Sequence, residues 1–186
     1  VGGNEWVHVS TPYVTPRGKG ERDAWSVVAA AGGRKGGQRI IHARDVTASR
    51  EVAALLDIPE GAPVVERRRI ILLDGEATEL TDTYYPVAIA HGTALTGTAK
   101  IPGGAVTLLA NLGHTGHRVR EEVGARLPDA SECETLGLGA HDPVLRLVRV
   151  TLDAGGEAFQ VDVSVFPAAT QRLRYETRIG RDAQSG

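Results

Sequence analysis

Two stretches of this chain are near-copies of each other, and a copied stretch must fold in a way that can be used twice. Residues 63–86 read PVVERRRIILLDGEATELTDTYYP, and residues 143–167 read PVLRLVRVTLDAGGEAFQVDVSVFP. The offset is 143 − 63 = 80 before the turn and 167 − 86 = 81 after it, so the second copy has one extra turn residue. Each copy is two β-rich runs around an Asp/Gly turn, the pattern of a hairpin. The copying extends upstream: Leu56-Asp57-Ile58 precedes the first hairpin as Leu136-Gly137-Leu138 precedes the second. Ser49 is placed to cap a short helix through Leu56, and residues 129–136 read as its counterpart. The repeating unit is therefore helix, loop, hairpin, with a period too long for a solenoid. Two such units predict one α+β domain, an internally pseudo-duplicated antiparallel sheet with short helices on one side.

The flanking segments follow from the same punctuation. Residues 1–37, rich in Pro and Gly, read as a linker or N-terminal arm, anchored by Trp6, Tyr13 and Trp25. Within it, residues 23–31 form a short apolar stretch of undetermined type. Residues 38–46 read as a strand, 88–103 as a Gly/Thr-rich connection, 105–112 as an amphipathic helix and 117–127 as a strand with interleaved charge. A last strand is expected over 171–178. The domain then spans 38–178, with 179–186 as a C-terminal tail.

Bulk properties narrow the function classes. At 186 residues and 41% hydrophobic the chain fits one domain with a core. A net charge of −2 argues against a general nucleic-acid-binding surface. No apolar run approaches the roughly 20 residues of a bilayer span. One cysteine, Cys133, cannot form an internal disulfide, which agrees with a reducing, cytoplasmic setting. His114 and His117 are three apart but lack a third ligand nearby and read as surface histidines, so no metal and no cofactor is expected. The chain starts at Val1 and contains no methionine, so a further N-terminal part is expected to be missing.

The first hairpin holds what a sheet does not need: Arg67, Arg68 and Arg69 in a row. Strand alternation puts Arg67 and Arg69 on one face with Val65, Ile71 and Leu73, and Arg68 on the other. On the return strand Glu79, Thr81, Thr83 and Tyr85 share a face. With a two-residue turn at Asp74-Gly75, paired positions sum to 149, which sets Arg69 opposite Leu80 and Arg67 opposite Asp82. A bulge would reverse this, because a one-residue slip flips every side chain. Two arginines on one strand face can clamp a carboxylate or phosphate with forked hydrogen bonds. They can equally form a solvated edge or pair with Glu66 and Asp82. The residues alone leave both readings open.

Residues 49–86, the helix segment AVTLLANLGH and the block LGLGAHDPVLRLVRVTLDAGGEAFQVDVSVFP together resemble the UTRA domain, the effector-binding module of the HutC branch of GntR-type bacterial transcription regulators. The order helix, LDIPEGAPV, Arg-rich strand, DGE, strand ending YYP, with a weaker echo near the C-terminus, carries that resemblance. It implies a chorismate-lyase-like fold, and a homodimer that reaches DNA only through a separate N-terminal winged helix-turn-helix head. The implied effector is a small metabolite such as a phosphorylated sugar or a carboxylate. The implied effector-binding residues are Arg67 and Arg69 for the anion, Glu79 facing them, and Thr83 and Tyr85 on the same strand. Asp162 and Ser164, with Gln160, occupy the matching places in the second hairpin. One departure stands out: the middle helix starts Gly103-Gly104-Ala105 and has no hydroxyl before Thr107, although free backbone N–H groups there can still meet an anion.

The leading expectation is thus a ligand-sensing, dimerising domain of a repressor-type regulator. The alternatives are a lyase-like enzyme on the same fold and a dimerisation module without a ligand. No credible nucleophile–base pair supports the enzyme.

Overall fold

The computed structural model describes residues 5–18 and 20–176. Its strands are β1 (Trp6–His8), β2 (Gly36–Thr47), β3 (Pro63–Leu73), β4 (Glu76–Pro86), β5 (Arg118–Arg126), β6 (Val144–Leu152), β7 (Ala158–Pro167) and β8 (Gln171–Leu173). Its helices are α1 (Thr11–Val14), α2 (Ala24–Ala31), α3 (Arg50–Leu56), α4 (Val87–Ala90), α5 (Ala105–Asn111) and α6 (Ala130–Leu136), with one 3-10 turn at Ala94–Thr96. Six strands form one antiparallel sheet in the order β2-β3-β4-β7-β6-β5. That order is the duplication laid out in space. One unit supplies β2-β3-β4, the other supplies β5-β6-β7 reversed, and they join where residues 80–84 pair with 161–165.

The repeated helices start and stop by repeated means. The Ser49 hydroxyl accepts from the Val52 N–H at 3.3 Å. Asp129 accepts from the Glu132 N–H at 2.8 Å while Glu132 accepts from the Asp129 N–H at 2.9 Å, a reciprocal capping box. Both helices end on a left-handed residue, Asp57 at φ 55° and Gly137 at φ 66°.

The strict hairpin pairing holds only for its first two pairs, Leu73 with Glu76 and Leu72 with Ala77; Ile71 then lies opposite Glu79, and Thr78 is the extra residue of a β-bulge. The second hairpin bulges at the matching place, with Leu152 opposite Ala158, Thr151 opposite Gln160, and Phe159 extra. The slip sets Arg69 opposite Thr81 and Arg67 opposite Thr83. Glu79 therefore does share the face of Arg67 and Arg69. Asp82 goes to the other face, where Arg68 binds it through two bonds of 2.7 and 2.6 Å.

As the repeat predicts, α3 and α6 lie on one side of the sheet. Val52, Ala53 and Leu56 pack on Val64, Val148, Val150 and Val161, and Leu136 packs on Ile70, Leu80, Val144 and Val165. The other face is also covered by helices, so the layer is not one-sided. Ala90, Leu95, Ile101 and Leu109 close over Val65, Tyr85 and Phe159. Trp25 and Ala29 of α2 close over Ile71 and Leu73, with Trp6 and Tyr13 beside them.

The segment expected as an arm thus packs onto the sheet. Its apolar stretch is a helix because Asp23 caps it, accepting from the Ser26 N–H at 3.0 Å. Trp25 donates to the Leu72 carbonyl at 2.9 Å and meets Trp6 edge-on at 5.4 Å. The approach needs Gly36, where a Cβ would sit 2.9 Å from the Trp25 carbonyl oxygen. The last strand is shorter than expected: β8 spans three residues and pairs in parallel with β1. The expected tail, 179–186, lies outside the described residues. Among the described residues no helix is long and apolar enough to cross a membrane.

Candidate functional site

The face bearing Arg67 and Arg69 carries a cavity of about 130 Å³, roughly ten times the ~10–15 Å³ that one water needs. Its floor is the sheet: Arg67, Arg69 and Ile71 of β3, Glu79 of β4, Arg149 of β6, and Gln160, Asp162 and Ser164 of β7. One wall is Ile101 and the residues 103–106 that open α5. The opposite wall is the N-terminal segment, through His8, Tyr13, Arg17 and Trp25 among others.

The charges on the floor are unevenly matched. Arg67 is 4% exposed, and its side-chain hydrogen bond runs from Nη1 to the Ala94 carbonyl at 3.2 Å. Among the described residues it has no carboxylate partner. Burial holds the guanidinium below its ordinary range; the Tyr85 phenol opposes this shift and neighbouring Arg69 adds to it. Arg69 places Nη2 at 3.6 Å from Asp162 Oδ1, too long for a good hydrogen bond, and its buried Nε has no partner. Asp162 is instead held by Thr83, donating to Oδ1 at 2.6 Å, and by Gln160, donating to Oδ2 at 2.7 Å. Glu79 accepts from the Ser164 hydroxyl at 2.7 Å and from the Thr81 hydroxyl. Two other charges of the lining are neutralised: Arg149 on the floor by Glu121 at 2.6 Å, and Asp23 by Lys100 at 2.8 Å.

The floor therefore presents two guanidiniums one alternation apart, roughly 7 Å along the strand, with a hydroxyl-supported carboxylate on the neighbouring strand. Such a surface can take an anion at the arginines and hydrogen-bond donors at Glu79. At the α5 wall the N-cap is Gly104, at φ 87°, without a side-chain cap. The Thr107 hydroxyl is already engaged, donating to the Gly103 carbonyl at 2.8 Å and accepting from the Arg17 N–H at 2.9 Å.

Of the seven side chains singled out in the sequence, Arg67, Arg69, Glu79, Asp162 and Ser164 meet in this cavity. Thr83 and Tyr85 share the face but do not line it. Thr83 is fully buried and bonds Asp162 from below. Tyr85 is fully buried in the apolar cluster with Leu95, Leu109 and Phe159. Gln160 joins the lining. Arg149 was missed, although the repeat offset points to it: 149 − 69 = 80. The N-terminal wall had no sequence signal beyond its aromatics. There His8, 6% exposed, stacks on Tyr13 with ring centres 4.5 Å apart, and burial lowers its pKa.

The model of the UTRA domain matches residues 31–172. This chain belongs to the UTRA domain family. It is 28% identical over 143 residues to an uncharacterised HTH-type transcriptional regulator of Streptomyces coelicolor, covering 75% of this chain and 53% of that protein. It is likewise 28% identical over 151 residues to the HTH-type transcriptional repressor PhnF of Mycolicibacterium smegmatis, covering 77% of this chain and 58% of PhnF. The solved effector domain of PhnF from Mycobacterium smegmatis superposes with a TM-score of 0.72 at 25% identity, over 89% of this chain and 99% of that one. The chain spans about half the length of the curated relatives it matches. This UTRA domain is thus of the kind that forms the effector-binding part of GntR-family transcription regulators.

Proposed function

We propose that this UTRA domain senses a small anionic metabolite, such as a phosphorylated sugar or a carboxylate, in the cavity above Arg67 and Arg69. The observation that carries the reading is Arg67: a buried cation held, among the described residues, by one neutral carbonyl. A charge taken out of water without a counterion is costly, and a site of that kind is complete when an anion enters it. Glu79, Asp162, Ser164 and Gln160 then read the polar groups on the rest of the ligand. The domain acts as a sensor rather than a catalyst, in the cytoplasm, within a homodimeric regulator of the HutC branch. Occupancy favours one arrangement of the dimer over another, which alters the spacing of two attached winged helix-turn-helix heads and so their grip on paired half-sites.

The test is a thermal-shift screen of the domain against phosphorylated sugars and organic acids, repeated on the Arg67→Ala/Arg69→Ala variant. A true ligand raises the melting temperature with concentration, by the equivalent of about 2.7 kcal/mol at a hundredfold excess over Kd. The expected hit is absent in the double variant. A hit of equal size in both proteins refutes the site.

A further inference from the structure

We propose that the ligand is held between the sheet and the N-terminal segment, with Tyr13 and Arg17 as ligand-binding residues, so that occupancy clamps residues 11–17 against the sheet. This rests on the anion-binding reading of the cavity.

The unpartnered polar atoms point to it. Five buried side-chain nitrogens and oxygens among the described residues lack a hydrogen-bond partner, and three of them belong to residues lining this one cavity: Tyr13 Oη, Arg17 Nε and Arg69 Nε. Two come from the N-terminal segment and one from the sheet opposite. Buried donors are seldom left unbonded, and a cluster of them around one space marks a missing acceptor. A phosphate or carboxylate has lone pairs in several directions, so an anion seated on Arg67 and Arg69 still offers acceptors to the wall it faces. Arg17 Nε makes no hydrogen bond among the described residues but lies 3.4 Å from Glu21 Oε2, a half-exposed carboxylate with which an anion in the cavity competes.

The segment is also built to respond. Helix α1 is a single turn of four residues with Pro near its start, no side-chain cap and no buried residue. Its flanks are tied down by few bonds, among them Arg149 to the Ser10 hydroxyl at 3.0 Å and the Arg17 N–H to Thr107 at 2.9 Å. Such an element has low local stability and is readily ordered by a ligand. This wall joins the ligand to the chain leading into the sheet.

The experiment uses inorganic phosphate as the probe. Isothermal titration at constant ionic strength is run on the wild type, Arg67→Ala/Arg69→Ala, Tyr13→Phe and Arg17→Gln, with thermal melts to confirm folding. Hydrogen exchange of residues 11–17 in the wild type is compared with and without phosphate. Phosphate binding is expected to vanish in the double arginine variant and to weaken about tenfold or more in Arg17→Gln and in Tyr13→Phe. Exchange in 11–17 is expected to slow with phosphate. Wild-type affinity in both Tyr13→Phe and Arg17→Gln, with unchanged exchange, overturns the clamp while leaving the arginine site standing. No phosphate binding by the wild type at tens of millimolar, or binding that survives the double arginine variant, overturns both.

Discussion

Arg67→Met separates a residue kept for binding from one kept for folding. In the unliganded domain the Arg67 charge is nearly inaccessible, has one neutral hydrogen bond of 3.2 Å, and sits two residues from a second guanidinium on the same strand face. The effective penalty for burying such an ion is several kcal/mol. The Ala94 bond returns about 1.5–3 kcal/mol of it. Methionine keeps most of the stem's packing, removes the charge and leaves the Ala94 carbonyl with its second donor, the Gly97 N–H at 3.3 Å. The unliganded variant should therefore be about 1–3 kcal/mol more stable than the wild type in urea unfolding. The melting point should rise by about 2–4 °C for each kcal/mol. The same substitution should abolish the stabilisation given by the ligand, so the variant gains stability without ligand and loses the ligand response. A variant that loses stability by more than about 1 kcal/mol, yet keeps its ligand response, refutes the reasoning and makes Arg67 a structural residue.

Two further outcomes test the folding argument. Asp57 takes a left-handed conformation at φ 55° where the second unit uses Gly137, so Asp57→Gly should stabilise the domain by about 0.5–1 kcal/mol, read by urea titration; a loss of stability would show that the side chain has a role at that turn. Glu132 is held by two 2.6 Å bonds from Arg126, whose hydrogen bonding keeps its carboxyl below the usual 4.5 against the opposing effect of burial. A lowered folded-state pKa gives stability that is present above the unfolded value and lost as pH falls through the folded one. Glu132→Gln should therefore cost about 2 kcal/mol at neutral pH, with the gap to wild type closing below about pH 4.5; a gap that stays constant into acid contradicts the assignment.

What could be read in the sequence was what local chemistry repeats. The two hairpins, their helices and the cap at Ser49 are set by residues close to one another in the chain, and the hairpins and helices recur 80 residues apart. The bulge at Thr78 was not readable, because it depends on how the β3–β4 pair meets the rest of the sheet, although the resemblance to the family required the register it creates. The resemblance to the family, not strand pairing, put Thr83 and Tyr85 on the face of the arginines, and sharing a face says nothing about position along a strand. Only the cover formed by the Ala94–Thr96 turn and α5 decides that Tyr85 is core and Glu79 is cavity floor. The packing of Trp25 on Ile71 and Leu73 is long-range, and a Pro- and Gly-rich segment gives no sign of it beyond its aromatic residues.

Buried Arg67 and half-buried Arg69 are proposed to hold an anion. The most direct measurement is a crystal structure of the domain with the best compound from the thermal-shift screen. That compound should lie in the cavity between β3 and the N-terminal segment, its anionic group within about 3 Å of Arg67 and Arg69 nitrogens. Density for the compound elsewhere on the domain, with both arginines unchanged, would contradict it.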